Sequence, residues 1–150
     1  METVRVSMRV NIWNRVFIGF MVGLEEMLGR AAQATANIIG EYVGKELLRY
    51  AEEEGREIKN LGDLRNLLVD LGLTSEITFQ DSDEGNIKAT IKDCGICPKR
   101  VGGYEFEGTA CPWPGILRFM LEKFKECKYR VDVKVEPGET CILTFRPKLS

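Results

Sequence analysis

Glu76-Ile77-Thr78-Phe79-Gln80, a polar turn from Asp81 to Asn86, and Ile87-Lys88-Ala89-Thr90-Ile91 form the stretch that decides the fold. Two runs of alternating apolar and polar residues around a turn rich in Asp, Gly and Asn predict a β-hairpin. Its apolar face carries Ile77, Phe79, Ile87, Ala89 and Ile91. Downstream, Tyr129 to Val135 and Thr140 to Phe145, joined through Glu136-Pro137-Gly138-Glu139, predict a second hairpin. Between the hairpins, Pro114 to Glu126 places Ile116, Leu117, Met120, Leu121 and Phe124 on one side of a helix.

Upstream the period changes from two to between three and four. From Trp13 to about Gly55, Leu24, Met27, Leu28, Ala31, Ala34 and Ile38, then Ile39, Tyr42, Val43, Leu47 and Tyr50, recur at helical steps. Asn60, Asp63 and Gly72 bracket a further helix, Leu61 to Leu71. Thr3 to Val10 alternates and reads as a short strand or extended arm. The expected fold is α+β: N-terminal helices packed on a C-terminal antiparallel sheet, with one further helix between two hairpins. A chain of 150 residues suits one domain spanning residues 1–150. Gly29, Ala31, Ala32, Ala34, Ala36, Gly40 and Gly44 leave little bulk on the helical half. That predicts close helix contact, either within the domain or across a dimer.

Composition narrows the function. Histidine is absent, which removes the commonest general base and all His-based metal sites. A net charge of −2 argues against nucleic-acid binding. The apolar run Val16 to Leu28 contains Gly19 and Gly23 and meets Glu25 and Glu26, too broken for a membrane span and unlike a secretion signal. A cytoplasmic chain with reduced thiols is the expectation.

The five cysteines all fall between Cys94 and Cys141. In Cys94-Gly95-Ile96-Cys97-Pro98 two thiols can point at one centre, as in zinc ribbons and thioredoxin-like pairs. Residues 98–103 read as a poor helix, which favours metal over redox use of the Cys94/Cys97 pair. Cys111 precedes the helix that starts near Pro114, where free amides favour a thiolate, and Cys141 lies on the last strand. Cys94, Cys97, Cys111 and Cys141 together make a candidate closed, structural zinc site; Cys111 and Cys141 as small buried apolar residues are the alternative. Cys127 is the outsider. Asp81, Asp83 and Glu84 lack the ligand series of a calcium loop and read as a solvated turn. Lys99-Arg100 could meet an anionic head group or simply lie on a surface loop.

Leu28-Gly29-Arg30-Ala31 with the Gly40 and Gly44 spacing, Ala110-Cys111-Pro112-Trp113-Pro114-Gly115-Ile116-Leu117, and Val131 to Glu136 with Gly138 and Cys141 carry a resemblance to the V4R (4-vinyl reductase-like) domain. That domain is a predicted hydrocarbon-binding module with a Bet3-related fold, and the resemblance covers most of Gly23 to Phe145. It implies a homodimer whose pocket between helices and sheet takes a hydrophobic small molecule. It also implies a zinc site of three cysteines and a glutamate, to which Cys111 and Cys141 correspond, while the middle cysteine and its glutamate have no clean counterpart. Phenol sensing in that family uses a histidine, which this chain lacks. Leu64, Leu68, Phe79, Ile91, Tyr104 and Phe106 are the expected pocket lining, each of a type more often found in plain core. The expected function is a non-enzymatic sensor or carrier. The alternatives are an assembly scaffold of the same fold and a thiol redox protein.

Overall fold

The computed structural model describes residues 11–82, 84–105, 110–135 and 140–148. The helical run from Trp13 to Gly55 is in fact two helices, α1 (Ile12–Leu28) and α2 (Ala32–Glu53), parted by a single 3-10 turn at Gly29–Ala31. Gly29 makes the break, because its φ of +53° lies in the left-handed region that side chains disfavour. The Asn11 side chain caps α1 by accepting from the Asn14 amide. Then follow α3 (Leu61–Asp70), β1 (Thr74–Asp81), β2 (Ile87–Cys94), a one-turn α4 (Pro98–Val101), α5 (Trp113–Lys125), β3 (Tyr129–Val135) and β4 (Thr140–Pro147). Asn60 caps α3 by accepting from the Asp63 amide at 2.8 Å.

The fold is α+β, as expected, with a four-stranded antiparallel sheet in the order β1-β2-β4-β3. The first hairpin pairs Ile77 with Ile91 and Phe79 with Ala89. That register stacks Ile77, Ile87, Ala89 and Ile91 into the core, while Phe79 is half-buried. The strands expected around residues 129–135 and 140–145 are present, and their connection at 136–139 lies outside the described residues. So does the strand or arm expected for Thr3 to Val10. The core sits between the sheet and α3 and α5, centred on Leu64, Leu68, Trp113, Ile116, Leu117 and Phe145.

The small residues of α2 serve contact inside the domain. A Cβ on Gly40 would stand 2.2 Å from the Pro112 carbonyl oxygen, and one on Gly44 would stand 2.9 Å from that of Ile116. From the other side, a Cβ on Gly115 would stand 1.9 Å from the Asn37 carbonyl oxygen. Backbone lies against backbone where α2 crosses α5, and this crossing fixes the segment carrying Cys111.

Candidate cysteine site and apolar cleft

The end of β2 sets the first thiol. Thr74, fully buried, donates to the Lys92 carbonyl at 2.6 Å, and the Gly95 amide donates to the Leu73 carbonyl at 2.8 Å. Asp93 adopts φ +52°, a left-handed conformation that costs a non-glycine residue roughly 1 kcal/mol. Arg100 braces the bend by pairing with the Asp93 carboxylate and donating to the Cys94 carbonyl at 3.1 Å. Cys94 is thereby turned inward, where the Trp113 indole N–H donates to its sulfur at 2.9 Å. Trp113 is itself buried, so it packs beneath the loop and binds it at once.

Cys97 stands at the N-terminus of α4, whose single turn is closed by the Val101 amide donating to the Cys97 carbonyl at 2.9 Å. Residues 98–103, which read as a poor helix, thus begin with one helical turn: Pro98 at the first position supplies a preset φ, and Gly102 ends it. Cys111 is held from α2 by Gln33, whose amide group accepts from the Cys111 N–H at 2.9 Å and donates to the Cys111 carbonyl at 2.8 Å. Cys141 lies on β4 opposite Ile91 of β2.

Cys94, Cys97, Cys111 and Cys141 lie near enough to one another that neighbouring thiolates of the group disfavour ionisation of Cys94, Cys111 and Cys141. The four cysteines singled out by spacing therefore share one neighbourhood. Cys127 lies apart, beside Tyr129. Among the described residues, no group of three or more Cys, Asp or Glu side chains is placed to hold a metal ion. Proximity of the thiols is thus the feature present.

Burial dominates their chemistry. It pushes the Cys94 thiol up to about 12 from an ordinary 9.0, against the opposing Trp113 hydrogen bond. Burial likewise raises Cys111 well above its ordinary value, with the neighbouring thiols adding to it. The start of α5 was expected to favour a Cys111 thiolate; desolvation at this densely packed thiol outweighs it. Cys141 is raised by burial and by Cys97, with the Arg100 charge pulling the other way.

Beside this cluster lies an apolar cleft of about 170 Å³, lined by Asn11, Trp13, Asn14 and Phe17 of the α1 region, Val43 and Leu47 of α2, and Leu71, Leu73 and Ile96. Ile96 is the residue between the paired cysteines Cys94 and Cys97. Asn14 clamps the same loop, donating to Gly95 and Gly72 carbonyls at 3.1 and 3.2 Å. The residues expected to line a pocket lie elsewhere: Leu64, Leu68 and Ile91 are in the closed core, Phe79 packs half-buried against it, and Tyr104 is 45% exposed over Gly102. Phe106 lies outside the described residues. Sequence reading missed Gln33 and Asn14, and it assigned Arg100 to an anionic head group or a surface loop, whereas Arg100 engages Asp93 and the Cys94 carbonyl. Only Asn14 left a signal, as an amide within an otherwise apolar helical run.

Fold and site define a class: an α+β domain with a partly buried thiol cluster beside a small apolar cleft. The chain belongs to the MJ0207 family, which matches residues 29–147. It is 38% identical over 138 residues to uncharacterized protein MJ0207 of Methanocaldococcus jannaschii, covering 92% of this chain and 90% of that protein. It is 33% identical over 51 residues to uncharacterized protein MJ1342 of the same organism, covering 34% of this chain and 45% of that one. No described helix is long and apolar enough to cross a membrane.

Proposed function

We propose that this chain is a non-enzymatic binding module in which thiolates of Cys94, Cys97, Cys111 and Cys141 hold a structural zinc ion beside a cleft for a small apolar ligand. One observation carries this reading: the Cys94–Cys97 loop supplies two thiols to the cluster and Ile96 to the floor of the cleft. Metal and ligand would then order the same four-residue bend.

Magnitudes favour metal over redox use of the thiols. Raising Cys94 to about 12 makes its ionisation roughly 4 kcal/mol harder than in free cysteine. A redox nucleophile needs the opposite shift. Zinc binding to structural cysteine sites releases about 10–16 kcal/mol, enough to carry that cost. A dication at the centre also removes the mutual repulsion among thiolates that helps hold them protonated. The cleft suits a ligand of one ring, since a dry cavity of about 150 Å³ holds benzene. The V4R resemblance, with its apolar ligand and cysteine-held zinc, points the same way.

The test uses protein purified without chelator, zinc release on thiol modification, and toluene as the cleft probe. Expected are one zinc per chain, lost in Cys111→Ser and Cys94→Ser, and saturable toluene shifts of Leu47 and Ile96 methyl resonances that Leu47→Trp abolishes. Zinc at the same trace level in wild type and variants sinks the metal centre. Toluene shifts that never saturate sink the ligand site.

A further inference from the structure

α1 is fastened to the domain along one narrow stripe. Asn14, Ile18 and Met21 are buried, and Met21 packs with Ala32 and Ala36 of α2. The opposite side is apolar and open: Trp13 is 75% exposed, Phe20 74%, Met27 84%, Ile12 66% and Val16 39%. Trp13, Val16, Phe20, Gly23 and Met27 follow one another at steps of three, four, three and four. That is the spacing of a helix seam that meets another helix, not of residues scattered on a solvated face. Gly19 and Gly23 have nothing within 4 Å of where a Cβ would stand, so a second backbone can approach there.

We propose that this face is the homodimer interface, formed by α1 of one copy lying antiparallel on α1 of a second. The seam is its own complement when reversed about Phe20. Phe20 then meets Phe20 of the second copy on the twofold axis, and Trp13 at one end meets the flexible Met27 of the second copy at the other. Gly23 leaves room for Val16 of the second copy. The charges follow the same reversal. Arg15 and Glu26 lie on one flank of α1, eleven residues apart, with Gly19 between them, and antiparallel packing sets that flank against itself. Arg15 of each copy thus faces Glu26 of the other. Among the described residues, no ion pair engages either side chain. A parallel pairing would set that flank against the opposite one, separating Arg15 from Glu26 of the second copy, and would align the helix dipoles unfavourably. Trp13, Phe20 and Met27, the large seam residues, keep about three-quarters or more of their surface uncovered, which supplies the apolar centre of an interface of roughly 800 Å² per partner. The binding reading above is not required for any of this.

Sedimentation velocity across 1–100 μM full-length chain tests it, with circular dichroism as a control on folding. The wild type should dimerise in the micromolar range. Phe20→Glu, which sets like charges together on the axis, should raise Kd by about 100-fold. Arg15→Glu should raise it by about 10-fold, and the double variant Arg15→Glu/Glu26→Arg should return it to within about 3-fold of wild type. A chain that stays monomeric to 100 μM overturns the proposal and assigns the face to another occupant. A dimer that Phe20→Glu leaves intact, or that the double variant fails to restore, overturns the antiparallel α1 arrangement. Monomers that float with phosphatidylglycerol vesicles through Trp13 and Phe20 overturn it in favour of a membrane-surface face.

Discussion

Replacing Gly115 by Ala tests the crossing of α2 and α5 on which the cysteine site hangs. A helix-interior glycine exchanged for alanine gains up to about 1 kcal/mol when nothing opposes it. Here the new methyl would stand 1.9 Å from the Asn37 carbonyl oxygen, 2.8 Å from its carbon and 3.0 Å from its Cα. All three atoms belong to backbone, so no side-chain rotation relieves the overlap. Ordinary contact begins near 3.4 Å, so the helices must separate by on the order of 1.5 Å at their tightest point, opening gaps around Gly40 and Gly44. Overpacking of this kind costs about 3 kcal/mol or more, which leaves a net loss of at least about 2 kcal/mol. For a chain of this size that is a fall in Tm of roughly 4–8 °C. Gly19→Ala is the control, because its methyl meets nothing within 4 Å and should be neutral or stabilising. Scanning calorimetry on both variants reads the difference. A Gly115→Ala protein as stable as wild type would refute the close crossing and with it the account of how Cys111 is held.

Further expectations concern the site itself. The metal-free protein should lose stability as pH rises. Cys94 titrates near 12 when folded against 9.0 when free, so the native state retains a proton that the unfolded chain has released. Its contribution is fully present below pH 9 and is lost through about pH 12, at most about 4 kcal/mol; denaturant melts from pH 8 to 10.5 should show the slope, and Cys94→Val should flatten it by one proton. Trp113→Phe deletes the N–H that donates to Cys94 and part of a fully buried ring system, and should cost about 2–4 kcal/mol together with a weaker zinc affinity by competition with a chelator. Asn14→Ala leaves the Gly72 and Gly95 carbonyls without their donor. Hydrogen exchange should then quicken through α1 and the Cys94–Cys97 loop before the sheet, and uniform exchange would count against the clamp.

The sheet was legible because its strands obey a period of two with one face buried, and register then follows from Ile77, Ile87, Ala89 and Ile91. Asn60 and Gly72 marked the ends of α3 for equally local reasons. The break at Gly29 was not legible as a break, since the apolar period runs on across it and only the backbone turns. The cysteine quartet was legible from the Cys94/Cys97 spacing and the clustering of the remaining thiols. Its electrostatics were not: the pull of a helix start on Cys111 is a local rule, whereas the desolvation that outweighs it depends on what α2, α5 and β4 bring alongside. The cleft escaped for the same reason. Trp13, Val43, Leu73 and Ile96 come from four separate segments, and nothing in any one of them distinguishes a rim from a core.

Two features that read separately along the chain meet at α1. Its inward stripe carries Asn14, which holds the Cys94–Cys97 loop, and its outward seam begins at Trp13, which also lines the cleft. Adjacent residues on one helix therefore point to the thiol loop and to the proposed second copy. Rotating α1 by even one residue's worth, about 100°, would either bring Trp13 against the Gly95 carbonyl or set the Asn14 amide in the seam. Either loss is costly, because a buried carbonyl without a donor and a polar group in an apolar seam each forfeit about 1–3 kcal/mol. Dimerisation would thus hold α1 in the one rotation that also braces the cysteine loop, and zinc bound there would in turn fix the face that the second copy meets. The coupling has a reciprocal consequence: zinc removal, which empties two sites per dimer, should weaken the dimer by the square of the factor by which Phe20→Glu weakens zinc binding at each site. Sedimentation with and without chelator, set beside zinc competition on the monomeric variant, gives both sides of that equality, and factors that break it would mean that the two sites act through different parts of the molecule.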